Sequence, residues 1–272
     1  MPKFGPYLRI LSSIILISLA STALVLFGFR AQIEIWEFGV DLKVVAFAIM
    51  VTYFGTKYRL DFGKFGLNRW NPQINIAAFL SPLPLLAIVV ASGILLGSSH
   101  YSGVENSLTF LLANVIDIPA VYFFSITIVL LEEIIFRGVV FDLIFQNRDN
   151  LKSIFFSALI WAVANLDALA QIPRATVLLL VSEFLFIVAV GVVCSSLYCL
   201  SDSVWPGYSF RIGMRIFCSA LLLPTGSAMD AFFTTNSPIL SSNGLLLSML
   251  SFLLAFAILN LRKNVPIHAG IR

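Results

Sequence analysis

Charged residues are scarce in this sequence, and that scarcity decides the class of protein. Only 11% of the 272 residues are Asp, Glu, Lys or Arg, whereas 59% are hydrophobic. A soluble domain has about 25% charged residues, so the composition excludes an ordinary soluble enzyme and predicts a polytopic membrane protein. The net charge of +3 is too small to indicate a nucleic-acid partner.

Cysteine and histidine are scarce as well, and this bears on metal and disulfide chemistry. Cys194, Cys199 and Cys218 all lie in apolar segments, which argues against a disulfide framework. The two histidines, His100 and His268, lie outside every predicted spanning helix. A zinc site of the usual His and Cys type is therefore hard to assemble, and we expect neither a metal nor another cofactor.

Long apolar runs predict an all-α bundle of about eight spanning helices, because a span needs about 20 apolar residues. The predicted spans cover roughly residues 10–29, 38–56, 74–98, 117–144, 152–170, 175–200, 204–224 and 243–261. The second contains Asp41 and Lys43, and Pro82 and Pro84 predict a kink in the third. No repeat or linker divides the chain, so we expect residues 1–272 to form a single integral membrane domain.

The distribution of basic residues predicts the orientation of the bundle. With both termini in the cytoplasm, the inside segments hold Lys3, Arg9, Lys57, Arg59, Lys64, Arg69, Arg148, Lys152, Arg262, Lys263 and Arg272. The outside segments hold only Arg30, Lys43 and Arg174. Cytoplasmic loops of membrane proteins carry an excess of Lys and Arg. We therefore expect a multi-pass protein of a prokaryotic inner membrane with both termini cytoplasmic.

The fourth predicted span carries the most informative residues, Glu132, Glu133 and Arg137, within an apolar run. Ionisable groups inside a membrane are costly and usually functional. On an α-helix Glu133 and Arg137 share a face and can pair, whereas Glu132 is rotated by about 100° and is predicted to point into the bundle. Two interpretations stay open: Glu132 is a general base, or the group is a buried ion pair that fixes helix register.

The sequence Glu132-Glu133-Ile-Ile-Phe-Arg137-Gly138 resembles the first motif of the CPBP family. That family includes the type II CAAX prenyl endopeptidases and proteins similar to lysostaphin resistance protein A. Its second motif is an aromatic residue followed four positions later by histidine, and its fourth is a histidine followed four positions later by asparagine. At the second motif this chain has Trp161 and Asn165, and at the fourth it has Arg211 and Arg215. Between them the family has a region of small residues, a Leu-Tyr and a Trp-Pro, which here are Gly191, Leu197-Tyr198 and Trp205-Pro206.

The resemblance covers a CAAX-protease-like core over residues 118–217, and it implies an endopeptidase that is metal-independent or metal-assisted. A glutamate and a histidine there activate water, while the second histidine and the asparagine stabilise the oxyanion. The family's site positions in this chain are Glu132, Glu133, Arg137, Asn165, Arg211 and Arg215. Asn165, Arg211 and Arg215 replace the expected His, His and Asn.

The replacements change the chemistry that is expected of the site. A neutral asparagine cannot act as a general base, and arginine stays protonated. If the family fold holds, Arg211 and Arg215 are two buried cations that form a salt-bridge network with Arg137 and the two glutamates, which lowers the cost of burying the carboxylates. The sequence therefore favours a protein that is not an active enzyme over one that is.

Three functions remain open. The first is a catalytically degenerate membrane scaffold or regulator that binds a membrane protein or a lipidated or membrane peptide. The second is an active intramembrane endopeptidase that cleaves prenylated or membrane-bound peptides, with Glu132 as base and Arg211 as oxyanion stabiliser. The third is a carrier or receptor for a small anion held by Arg211 and Arg215.

Overall fold

The structure is a computed structural model of the 272-residue chain. It describes residues 4–26, 32–35, 38–58, 63, 66–101, 119–141, 151–166, 177–224, 233–235, 239–240 and 244–264. Among the residues discussed above, Lys3, Arg30, Arg59, Lys64, Arg148, Arg174, His268 and Arg272 lie outside these ranges.

The described part of the chain is mostly helical, which confirms the predicted all-α class. The α-helices are α1 (Phe4–Leu26), α2 (Leu42–Tyr58), α3 (Pro72–Leu80), α4 (Pro82–Leu95), α5 (Pro119–Glu133), α6 (Leu151–Ala164), α7 (Val177–Ser201), α8 (Trp205–Leu221) and α9 (Leu245–Asn264). A π-helical segment, Ile134–Phe141, continues directly from α5.

Three helical stretches are long and apolar enough to cross a membrane by length and composition. They are Pro72–Leu95, Val177–Ser201 and Leu245–Arg262. A helix overlaps each of the other predicted spans, but the number of spans stays a prediction. The third predicted span is divided at Ser81, directly before Pro82, which is where proline was predicted to disturb the helix.

Short strands lie between the helices, and the sequence did not predict them. β1 (Gln32–Ile35) and β2 (Phe38–Asp41) form an antiparallel pair in which Gln32 lies opposite Asp41. The helix of the second predicted span begins a few residues later than the expected residue 38, because the chain is in a strand up to Asp41 and α2 begins at Leu42. In a second sheet, β5 (Phe233–Thr235) pairs with β3 (Ser99–Tyr101) and β4 (Leu222–Pro224).

Helix α7 lies at the centre of the bundle and packs against α6, α8 and α9. Its residues from Ile187 to Cys199 are all buried. Gly191 allows close approach, because a Cβ there would lie 3.0 Å from both the Ala158 Cβ and the Trp161 ring on α6. Small residues at such crossings let membrane helices pack backbone against side chain, and this crossing brings Trp161 next to the end of α5.

A short segment before α3 fixes the start of α8. Gly66 has a φ of +74°, and a Cβ there would clash with the carbonyl of Asp202. The Ser203 hydroxyl donates to the Gly66 carbonyl at 3.0 Å, and the Trp205 indole N–H donates to the Leu67 carbonyl at 2.7 Å. These bonds hold the turn between α7 and α8, and through it the direction in which α8 enters the bundle.

Candidate functional site

Glu132 and Glu133 end α5, and the helix changes its winding immediately after them. The π-helical segment Ile134–Phe141 begins at the next residue and contains Arg137. From Ile135 onward it is entirely buried. A π-helix is wider than an α-helix and is frequent at functional sites, so this change of winding is consistent with a functional role for the neighbourhood of the two glutamates.

The Arg211 guanidinium bridges both glutamates. Its Nη2 lies 2.6 Å from Glu132 Oε2, and its Nη1 lies 3.2 Å from Glu133 Oε1. The Glu133 side chain is fully buried, and those of Glu132 and Arg211 are only 7% and 13% exposed. The fork of a guanidinium suits two carboxylate oxygens, so Arg211 on α8 connects α8 to the end of α5 through both carboxylates.

This geometry differs from the separate roles that were expected for Glu132 and Glu133. One of the two interpretations of the sequence was that Arg137 holds Glu133 and leaves Glu132 pointing into the bundle as a base. Arg137 does lie next to Glu133, but Glu132 is not left without donors. Instead, Glu132 Oε2 accepts from Arg211 and also from the Trp161 indole N–H at 3.2 Å. Because two donors converge on that oxygen, Glu132 is as much a member of the network as Glu133.

Arg137 lies on the far side of Glu133 and is fully buried. Its Nε is 3.7 Å from Glu133 Oε2, and its Nη2 donates to the Gly191 carbonyl at 3.1 Å. Glu133 thus lies between two guanidinium groups. Gly207 makes room for it, because a Cβ at position 207 would lie 2.7 Å from Glu133 Oε2.

Trp161 forms one wall of the site. Its ring lies under two cations, with the Arg211 Cζ 4.8 Å and the Arg137 Cζ 5.4 Å from the ring centre. Such contacts contribute from about 0.5–1 kcal/mol at exposed sites to about 2 kcal/mol when desolvated. The aromatic residue of the second motif therefore contacts both arginines as well as Glu132.

Asn165, at the position where the family has histidine, lies at the end of α6 and is held by two contacts. Its Nδ2 donates to the Trp161 carbonyl at 2.8 Å, and its Oδ1 lies 3.5 Å from Lys43 Nζ. Lys43 Nζ also lies 3.4 Å from the Ala164 carbonyl. Asn165 thus links the tryptophan helix to a lysine on α2.

Lys43 is the site residue that sequence reasoning missed. It was assigned to an outside segment with no role in the site, and which side it lies on stays a prediction. Lys43 lies in the first turn of α2, is only 6% exposed and interacts electrostatically with Glu132. A single lysine at the start of an apolar helix is a usable signal, because a charge is rarely buried without a partner. Which partner it meets depends on helix packing, which the sequence alone does not give.

Arg215 departs from the expected network. The sequence predicted two buried cations on α8, but the Arg215 side chain is exposed. Four residues along a helix correspond to about 6 Å along the axis and about 40° around it, so Arg215 does not occupy the same position as the buried contact that Arg211 makes. Arg211 and Arg215 therefore do not form one shared anion site, and the structure gives no support to a small-anion carrier.

The site contains buried polar atoms without a hydrogen-bond partner among the described residues. They include Glu133 Oε2 and Arg137 Nε, which face each other at 3.7 Å, together with Arg137 Nη1 and Ser195 Oγ. Within the same ranges, no group of three or more His, Cys, Asp or Glu side chains could hold a metal ion. The two carboxylates of the site interact with three cationic side chains, Arg137, Arg211 and Lys43, which lie on three different helical elements.

Comparison with known proteins identifies one family. A family model described as type II CAAX prenyl endopeptidase Rce1-like matches residues 114–217. The match includes the six predicted site positions and leaves Lys43 outside it. No curated protein matches the chain. The resemblance predicted from the motifs is confirmed.

Proposed function

We propose that this chain, whose residues 114–217 match the Rce1-like family model, is a non-proteolytic member of that family of membrane-embedded proteins. In this proposal it acts as a membrane scaffold or regulator, and it binds a membrane protein or a lipidated or membrane peptide. It would do so as a multi-pass protein of a prokaryotic inner membrane. The observation that carries the proposal is the bridge from Arg211 to both family glutamates at 2.6 and 3.2 Å.

The bridge bears on catalysis because a general base must accept a proton from water. A carboxylate that already accepts from a guanidinium and an indole is stabilised as an anion and has a weaker drive to take that proton. Arg211 stays charged and cannot replace the missing histidine as an acceptor. Asn165 is equally unable to act as a base. The residues that remain therefore favour a stable charge network over hydrolysis.

The alternative is an active intramembrane endopeptidase with an altered site. In that case Glu132 is the base, and Arg211 stabilises the oxyanion as a buried cation. Both carboxylates of the first motif are present and adjacent, which is the observation in favour of this alternative. A general acid or base usually contributes about 10²–10⁴-fold to a rate. An active endopeptidase should therefore cut a peptide that a non-proteolytic member only binds.

The test is a binding measurement that also reports whether the peptide stays intact. A fluorescent prenylated peptide is titrated into the purified protein in detergent, with the same peptide without its prenyl group as the matched control. We expect saturable binding that depends on the prenyl group, and mass spectrometry should recover the bound peptide uncut. Cut peptide with the native protein and intact peptide with Glu132→Gln would establish the alternative instead. Absence of saturable binding would contradict a peptide-binding role.

A further inference from the structure

Lys43 reaches the site from outside the segment that the family match covers. It lies in the first turn of α2, and its ammonium lies against the end of α6, 3.4 Å from the Ala164 carbonyl and 3.5 Å from Asn165 Oδ1. The carbonyl end of a helix carries partial negative charge and favours a cation there. Lys43 thus has a local structural reason to lie at this position.

The orientation of the Asn165 amide connects that contact to the rest of the site. Since Nδ2 donates to the Trp161 carbonyl at 2.8 Å, Oδ1 is the atom that faces Lys43. Trp161 in turn donates to Glu132 at 3.2 Å. A chain of contacts therefore runs from the Lys43 ammonium through Asn165 and Trp161 to the glutamate, in addition to the direct electrostatic interaction between Lys43 and Glu132.

The same contact bears on what position 165 can hold. A histidine that serves as a base must become a cation during the reaction. Beside a buried ammonium, a second positive charge within about 4 Å is strongly disfavoured, because the interior screens charge poorly. A neutral amide that offers its oxygen to the ammonium suffers no such repulsion.

From these contacts we infer that Lys43 is a positioning residue of the site, which holds the Asn165 amide and disfavours a histidine at position 165. The buried ammonium favours neutral or negative acceptors there. The consequence for activity rests on the proposed non-proteolytic function, whereas the pairing of Lys43 with position 165 does not.

The test compares two substitutions at position 165 in two backgrounds by thermal unfolding in detergent. At about pH 5.5, where an unperturbed histidine is protonated, Asn165→Asp should be tolerated in the native background, because the carboxylate pairs with Lys43. Asn165→His should lower the unfolding midpoint by several degrees there, because Lys43 disfavours the imidazolium in the folded protein. In the Lys43→Met background the order should reverse, because the aspartate, at a half-buried position, then lacks its partner and the protonated histidine no longer meets an ammonium. A packing role for Lys43 would not reverse the order.

Controls keep the outcome interpretable. Lys57→Met changes an exposed lysine on the same helix that contacts Tyr53, and it should leave the order of the two variants unchanged. Lys43→Arg retains the charge and should behave as the native background does. If Lys43→Met yields no folded protein, Lys43→Gln supplies the uncharged background. The same order of Asp and His variants in charged and uncharged backgrounds would overturn the inference. No substrate is present, so failure of the proposed function leaves this result unaffected.

Discussion

At the scale of single residues, Arg211 is the side chain that connects the two glutamates of the site. One guanidinium contacts both glutamates of the first motif and lies over Trp161. Removing one partner of a buried ion pair leaves an uncompensated charge, whereas an exposed pair contributes little. The two arginines of α8 therefore have different roles even though they are one turn apart.

Arg211→Met should destabilise the protein by about 3–5 kcal/mol, because both carboxylates lose their shared cation. Arg215→Met is the matched control, since Arg215 is exposed on the same helix, and it should cost less than about 1 kcal/mol. Urea or thermal unfolding in detergent, followed by tryptophan fluorescence, measures both. Equal losses of stability in the two variants would mean that the contacts of Arg211 with the glutamates do not stabilise the protein.

Gly207→Ala tests the close approach of Glu133 to α8. The added Cβ would lie 2.7 Å from Glu133 Oε2, so the carboxylate must move, at a cost of about 1–3 kcal/mol. The same substitution in a Glu133→Ala background should cost much less, because the atom that it meets is gone. Unfolding midpoints of the four proteins of this cycle measure the coupling. An equal loss of stability in both backgrounds would mean that the added Cβ does not clash with Glu133.

At the scale of elements, the position of Arg211 depends on how α8 enters the bundle. Ser203 and Trp205, at the turn before α8, bond to the Gly66 and Leu67 carbonyls. Trp70 packs edge-on against Trp205 at 5.0 Å between ring centres. A segment distant in sequence from the site thus fixes the direction of the helix that carries Arg211.

Trp205→Phe should lower stability by about 1–3 kcal/mol, because it leaves the Leu67 carbonyl without its indole donor. Trp70→Phe serves as the control, since Trp70 is 56% exposed and a phenylalanine keeps an aromatic edge against Trp205. We expect the Trp70 variant to lose less than half as much, by the same unfolding measurement. The reverse order would show that ring packing, and not the hydrogen bond, holds the turn.

The sequence predicted those elements of the site that depend on local pattern. Glu132, Glu133 and Arg137 were recognisable because charges in an apolar run are rare, and Trp161 and Arg211 followed from motif spacing. The contact of Arg211 with both glutamates agrees with the predicted salt-bridge network. The exposure of Arg215 was not predictable, because it depends on how α8 packs against the end of α5. The π-helical segment was missed because the spacing argument assumed 3.6 residues per turn throughout, and Lys43 was missed because its partner lies on a different helix.

At the scale of the whole molecule, the chain is a helical membrane protein whose described helices include three long, apolar stretches. Its orientation remains a prediction from the basic residues. Reporter domains fused to the N-terminus and to the C-terminus should both be accessible from the cytoplasmic side, because Lys and Arg concentrate in the segments assigned to that side. Protease protection in inverted and right-side-out vesicles measures this. Reporters on opposite sides would contradict an even number of spans.

The central claim is that the family scaffold is present and that its hydrolytic chemistry is lost through three replaced side chains. The most direct measurement is the rate at which a quenched prenylated peptide is cut by the native protein, by Glu132→Gln and by a restored variant. That variant carries Asn165→His, Arg211→His, Arg215→Asn and Lys43→Met. We predict no product from the native protein beyond that of Glu132→Gln, and cleavage by the restored variant that adding Glu132→Gln abolishes. Cleavage by the native protein that disappears in Glu132→Gln would contradict the claim.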